Sequence, residues 1–183
     1  MKIKNTAIWE GLAPPIQIEK KVSAMELPKR KSMRLLDYDY SSPGAYFITI
    51  CTKNRSCILS TITVGADALG GPSLKLTDAG KVVEQHILSA DRMTGFHVDK
   101  YVVMPNHIHM ILWVDSGPPR ASAPTVSDAV GALKRLVNRR LGNDIWQRSF
   151  HEHIIRNEQD YREIWEYIDA NPAKWAEDRY YEQ

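Results

Sequence analysis

In "VVMPNHIHMILWV" (102–114) two histidines stand one residue apart inside an otherwise apolar run. Side chains alternate along a strand, so His107 and His109 emerge on one face, with Ile108 and Met110 on the other. Two neighbouring imidazoles are a natural half of a divalent metal site. The same pattern also fits ordinary half-buried histidines with hydrogen-bond partners, and an isolated His-x-His favours that simpler reading. Three metal chemistries can be set aside on spacing. A histidine-triad nucleotide hydrolase needs a third alternating histidine, and position 111 is Ile. An amidohydrolase barrel needs ~250 residues of alternating strand and helix, more than this chain has. A zinc site would want further ligands at recognisable spacing, and none stands nearby in the sequence.

The last amphipathic segment offers partners of a different kind. In "EIWEYIDANP" (163–172), Glu163, Tyr167 and Asn171 lie at i, i+4 and i+8 and share one helical face. Ile164 and Ile168 form a neighbouring apolar stripe suited to packing on a sheet. A tyrosine and an amide one turn apart, facing the histidine pair, would place a phenol beside a metal. The simpler reading takes Tyr167 as a helix-surface aromatic and Asn171 as a C-terminal cap before Pro172. On periodicity alone this simpler reading is favoured.

The elements that must position these groups follow from local signals. "AYFITICT" (45–52) is rich in aromatic and β-branched residues and predicts the first strand. Thr77 can cap a helix over about 78–90 with Ala79, Val83 and Ile87 on one face. Residues 96–104 and 107–114 read as strands joined at Pro105-Asn106. A helix over about 127–141 starts at Ser127, buries Val130, Leu133, Val137 and Leu141, and ends before Gly142. Residues 149–156 read as a short strand. Asn157 then caps a helix over 158–170, with Asp160 in the capping-box position. "VGADALGGPS" (64–73) and "DSGPPRASAPT" (115–125) are loops or linkers. The order strand–helix–strand–strand–helix–strand–helix predicts an α+β fold, an antiparallel sheet with helices packed on one face.

The 183 residues suit one domain with a real core, at 43% hydrophobic and 25% charged residues. Residues 1–27 lack periodicity and contain the "APP" break, and "PKRKSMR" (28–34) is basic. The division expected is a poorly ordered basic extension over 1–29 and a domain over 30–183. Two cysteines, Cys51 and Cys57, are too few for a disulfide framework and suit a reducing cytoplasm. No apolar run is long enough to cross a bilayer, and the N-terminus lacks the apolar core of a signal peptide. The net charge of +2 hides segregation: residues 1–36 carry +5 and residues 120–148 carry +4, against −5 in 149–183. Two basic segments are what a polyanionic partner would need; they are also common on solvated faces, so charge alone favours nucleic acid only mildly.

Five ordered stretches together resemble a known family. "YVVMPNHIHMILW", the "GALK" helix (131–134), "WQRSFHEHIIRNEQDY" (146–161), "EYIDANPAKW" (166–175) and the upstream "RKSMRLLDYDYSSPGAYFITICT" (30–52) resemble the REP-associated tyrosine transposases. These belong to the single-tyrosine HUH superfamily, U being a hydrophobic residue. The resemblance spans roughly residues 30–181 and leaves 1–27 aside. It implies a ferredoxin-like sheet with the HUH pair on a central strand. It implies His107 and His109 as metal ligands, Asn171 as the third ligand and Tyr167 as the nucleophile. Tyr161, Tyr180 and Tyr181 are rivals for that last role. Tyr161 faces elsewhere on the helix, and the other two fall beyond Pro172.

The implied reaction is cleavage and rejoining of single-stranded or hairpin DNA through a 5′-phosphotyrosine and a free 3′-hydroxyl. The implied cofactor is Mg²⁺ or Mn²⁺; imidazole ligands suit manganese better on softness grounds. Lys134, Arg135 and Arg139 on one helix, with Lys29, Arg30, Lys31 and Arg34 on the arm, are candidates to neutralise phosphates of palindromic repeats. His153 and Glu163 are candidates to support the site from behind. Relatives imply either a monomer or a homodimer that exchanges its tyrosine. A domesticated hairpin-binding protein with idle chemistry is the alternative.

Overall fold

The computed structural model describes residues 42–63, 72–89, 95–115 and 125–181. The expected extension over 1–29, Lys29, Arg30, Lys31 and Arg34, and most of both Gly/Pro-rich loops lie outside these. Four strands form the main sheet: β1 (Gly44–Cys51), β4 (Phe96–Val103), β5 (His107–Val114) and β6 (His151–Ile155), in the order β4-β5-β1-β6. All neighbours are antiparallel. With helices α1 (Asp78–Leu88) and α2 (Val126–Leu141) inserted after β1 and β5, this is the ferredoxin-like arrangement. The α+β class and the central position of β5 are as the sequence suggested.

The antiparallel alternation divides the sheet into two faces. Tyr46, Ile48 and Ile50 of β1 join Ile108, Met110 and Leu112 of β5 in a large core under α1 and α2. Val83 and Ile87 come from α1, and Val126, Val130, Leu133 and Val137 from α2. Burial of each such side chain stabilises by about 1.5–3 kcal/mol. The opposite face carries Ala45, Phe47, Ile111 and Trp113, and against it packs α3 (Glu158–Ala170) through Tyr161, Ile164 and Ile168. The third helix therefore does not join the other two on one face. Its Ile164/Ile168 stripe needs apolar cover, and the odd-numbered side chains of β1 and β5 provide it.

Four local details differ from the sequence reading. Residues flanking the Gly-rich loop form a small hairpin, β2 (Ser60–Thr63) with β3 (Ser73–Leu76). Helix α2 starts one residue earlier, capped by Thr125 in place of Ser127. The Thr125 hydroxyl accepts from the Asp128 N–H, and Asp128 Oδ2 accepts from the Thr125 N–H at 2.9 Å. In α3, Asn157 accepts from the Asp160 N–H at 2.9 Å, but the Asp160 carboxylate reaches back to the Arg156 N–H at 3.2 Å. A β-bulge between Val98 and Lys100 also shifts the register of β4. It turns Lys100 toward α3, where its Nζ lies 2.6 Å from Asp169 and over the Trp165 ring.

The turn that carries Pro105 and Asn106 is held by backbone bonds from two sides. The Leu59 N–H donates to Pro105 O and the Thr52 N–H to Asn106 O, both at 2.9 Å. Leu59 is itself fixed by α1, whose Gly80 approaches so closely that a Cβ would lie 1.9 Å from Leu59 O. Among the described residues no helix is long and apolar enough to cross a membrane.

Candidate functional site

His107 and His109 project from β5 toward α3 and are buried to 0% and 1% exposure. Their Nε2 atoms converge to 3.0 Å. The second nitrogen of each ring has its own partner: Asn106 Oδ1 at 2.8 Å from His107 Nδ1, and Thr49 Oγ1 at 2.8 Å from His109 Nδ1. Thr49 reaches this position because β1 pairs it directly with His109. Phe47 and Tyr180 wall the pair, with ring centres 5.1 Å from His109 and 4.7 Å from His107. Burial pushes the His107 imidazole down to about 4, and holds His109 well below its usual value. Both rings are therefore neutral at pH 7, the form in which imidazole binds a metal.

Helix α3 brings two of its residues to this pair. The Tyr167 hydroxyl lies 3.4 Å from His109 Nε2, while its ring stands edge-on to Phe47 and remains 42% exposed. Asn171, one turn on, is buried to 2%. Its Nδ2 donates to Asp178 Oδ2 at 3.0 Å, leaving Oδ1 buried with no hydrogen-bond partner. Asp178 Oδ2 is also 3.4 Å from the Tyr167 hydroxyl. Burial first, then the Asp178 carboxylate, push the Tyr167 phenol up to about 12. Tyr167, Asn171, Asp178, Lys174 and Arg179 line an open cleft of about 600 Å³ with Glu163 at its edge.

His107, His109 and Asp178 bring ligand atoms within 4.8 Å of one another. Asn171 Oδ1 is an unpartnered buried acceptor beside them. Two neutral imidazoles and a carboxylate form a mixed N/O donor set of a kind that can hold a divalent ion.

Of the other candidates from the sequence, Glu163 lines this cleft and the rest lie elsewhere. His153 pairs with Asp160 at 3.0 Å at the start of α3, so it supports the helix entry and not the histidine pair. It is His151, opposite Thr49, that sits near Tyr180. Glu163 accepts from Gln159 Nε2 at 2.9 Å. Lys134, Arg135 and Arg139 belong to α2, which packs on the face of the sheet opposite the pair. The Lys134 ammonium is engaged within the protein, donating to the carbonyls of Gln147 at 2.8 Å and Ser149 at 3.0 Å. Tyr161 bonds Asp99 on the far part of α3, and Tyr181 packs on Trp175. Tyr180, set aside in the sequence as lying past Pro172, returns to cover His107.

Asp178, Asn106 and Thr49 were missed in the sequence. Asp178 stands seven residues after Asn171, beyond the helix, so helical periodicity does not reach it. Thr49 is connected only by strand register. Asn106 read as a turn residue, which it also is.

No family model matches the chain. It is 33% identical over 174 residues to an uncharacterized protein of Haemophilus influenzae, covering 83% of this chain and 93% of that one. It is 29% identical over 136 residues to a REP-associated tyrosine transposase of Escherichia coli K12, covering 74% of this chain and 70% of the relative. Among solved structures, a REP-associated tyrosine transposase bound to a REP hairpin superposes with TM-score 0.56 at 28% identity. That match covers 78% of this chain and 74% of the other. In both sequence and fold, the chain is similar to REP-associated tyrosine transposases.

Proposed function

We propose that this protein cleaves and rejoins single-stranded or hairpin DNA, with Tyr167 as nucleophile and a divalent metal as cofactor. The observation that carries the reading is the approach of the Tyr167 hydroxyl to 3.4 Å from His109 Nε2, beside two converging imidazoles. The DNA is proposed to be a short palindromic hairpin, by analogy with the relative that binds a REP hairpin.

His107, His109 and Asn171 would hold the metal, joined by Asp178. A bound divalent ion would polarise the scissile phosphate and stabilise the charge that builds on it. Tyr167 Oη forms a bond to phosphorus as the bond from phosphorus to the 3′ oxygen breaks. The DNA 3′ oxygen leaves and takes up a proton, and the phenol surrenders its own. The products are a 5′-phosphotyrosine and a free 3′-hydroxyl; attack by a 3′-hydroxyl reverses the step and rejoins strands without external energy. A phenol held protonated at neutral pH is a poor nucleophile, so loss of its proton must be assisted when substrate binds. Phe47 and the buried imidazoles keep one side of the reacting group dry.

The test is a hairpin oligonucleotide with a single-stranded flank, incubated with protein and Mn²⁺ or Mg²⁺. A covalent protein–DNA adduct is expected, lost in Tyr167→Phe. An adduct that persists in Tyr167→Phe overturns the nucleophile. Hairpin binding without any adduct, over both metals and the gene's own flanking repeats, would leave a domesticated binding protein.

A further inference from the structure

The two histidines have different neighbours on their outer nitrogens, and the difference has chemical content. Asn106 is fully buried, and its amide lies between two groups of known polarity. Nδ2 is 2.7 Å from the backbone carbonyl of Tyr180, which can only accept. The atom facing Tyr180 must therefore be the NH₂, and the atom 2.8 Å from His107 Nδ1 must be the amide oxygen. An amide oxygen cannot donate. His107 must then carry its proton on Nδ1, leaving the Nε2 lone pair aimed at His109. Thr49 imposes no such condition, because its hydroxyl both donates and accepts. With Thr49 donating to His109 Nδ1, the His109 proton sits on Nε2 and fills the 3.0 Å contact with His107. With Thr49 accepting, that proton moves to Nδ1 and both Nε2 lone pairs face the same point.

We infer that Asn106, set by the Tyr180 carbonyl, is a positioning residue that locks His107 in its Nδ1–H tautomer, while Thr49 lets His109 exchange tautomers when a metal arrives. The C-terminal segment thus contributes to the site through a backbone carbonyl 74 residues from the amide it orients. One imidazole is preset for metal binding. The other keeps the metal-free pair hydrogen-bonded, so no buried lone pairs are left opposed. This placement rests on the reading of the pair as a metal site only for its metal-dependent part; the tautomers belong to the metal-free protein.

The test reads the imidazole nitrogens of the full chain by ¹⁵N NMR at neutral pH after chelation, then after addition of a diamagnetic divalent ion such as Zn²⁺. Metal-free protein is expected to show His107 as Nδ1–H and His109 as Nε2–H, and the loaded protein to show both as Nδ1–H. Asn106→Ala is expected to lose the His107 preference and to weaken Mn²⁺ binding, followed by electron paramagnetic resonance, by about 10- to 100-fold. Asn106→Asp keeps an acceptor toward His107 Nδ1 but sets an oxygen against the Tyr180 carbonyl, so it is expected to lose stability while its ¹⁵N spectrum still shows His107 as Nδ1–H. His107 found as Nε2–H in the metal-free parent overturns the inference without any variant. So does a folded Asn106→Ala with parental affinity, or a folded Asn106→Asp in which His107 is no longer Nδ1–H, since either result separates the tautomer from the acceptor at position 106. A parent that binds no Mn²⁺ while showing the stated metal-free tautomers would instead refute the metal-site reading and leave the lock standing.

Discussion

The carboxylate of Asp178 accepts a 3.0 Å hydrogen bond from Nδ2 of Asn171, and this one contact joins the end of α3 to the segment beyond it. It fixes which end of the Asn171 amide is used up and which is left as a buried acceptor. The same oxygen of Asp178 stands 3.4 Å from the Tyr167 hydroxyl, so the amide, the phenol and the carboxylate respond to one another.

Asp178→Asn therefore moves the Tyr167 titration. Burial and the Asp178 charge together push the phenol up to about 12. Removing the charge is expected to lower the midpoint toward, but not to, the ordinary tyrosine value of about 10, because burial remains. Ultraviolet titration of the tyrosinate band, with Tyr167→Phe subtracted, reads this directly. An unmoved midpoint would show that the carboxylate does not act on the phenol.

The two tyrosines of α3 should separate cleanly. Tyr161 bonds Asp99 away from the histidines, and Tyr161→Phe is expected to keep the DNA adduct while costing about 1 kcal/mol of stability for the lost hydrogen bond. Tyr167 is 42% exposed, so Tyr167→Phe should change stability by no more than about 0.5 kcal/mol. Its adduct formation should fall on the order of a thousandfold or more. Chemical denaturation and adduct gels on the two variants check the pair. Loss of the adduct in Tyr161→Phe would transfer the role.

Acid should destabilise the metal-free protein through the histidine pair. Both imidazoles titrate lower when folded than at their usual 6.5, His107 at about 4, because burial disfavours the cation. Between these values the unfolded chain binds protons that the folded one does not. The contribution is thus fully present above pH 6.5 and is lost as pH falls toward 4. Melting temperatures of chelated protein should decline over that window, and less steeply in a His107→Gln/His109→Gln double variant. A flat profile between pH 7 and 5 would count against the burial argument.

The basic residues of α2 should divide into a structural one and two surface ones. Lys134 ties α2 to the carbonyls of residues 147 and 149, so Lys134→Met is expected to cost about 1–3 kcal/mol in stability. Arg135 and Arg139 are exposed on the same helix. If they meet phosphates, replacing both by Gln should lower hairpin affinity and reduce the slope of log affinity against log salt by about 2. Titrations at several salt concentrations measure it, and an unchanged slope removes these two residues from the DNA interface.

Much of the site was legible because its members sit on regular elements. Alternation along β5 put His107 and His109 on one face, and helical periodicity put Tyr167 and Asn171 one turn apart on α3. The caps at Thr77 and Asn157 and the stop at Pro172 are local chemistry, and they fell where the residues said. Asp178 lies past the helix, where no period extends, and its approach depends on the turn after Pro172. Thr49 meets His109 only through the β1–β5 register, a non-local pairing across 60 residues. The amide of Asn106 takes its orientation from a carbonyl in the C-terminal segment.

Local spacing by itself determined which side chains could face one another: two imidazoles on a strand, a phenol and an amide on a helix. Only the tertiary structure decided that α3 covers the face bearing the histidines while α1 and α2 cover the other. The physical reason is that a periodic pattern marks an apolar stripe but not its partner. Ile164 and Ile168 would bury equally well on either face, and which face is open depends on the whole sheet.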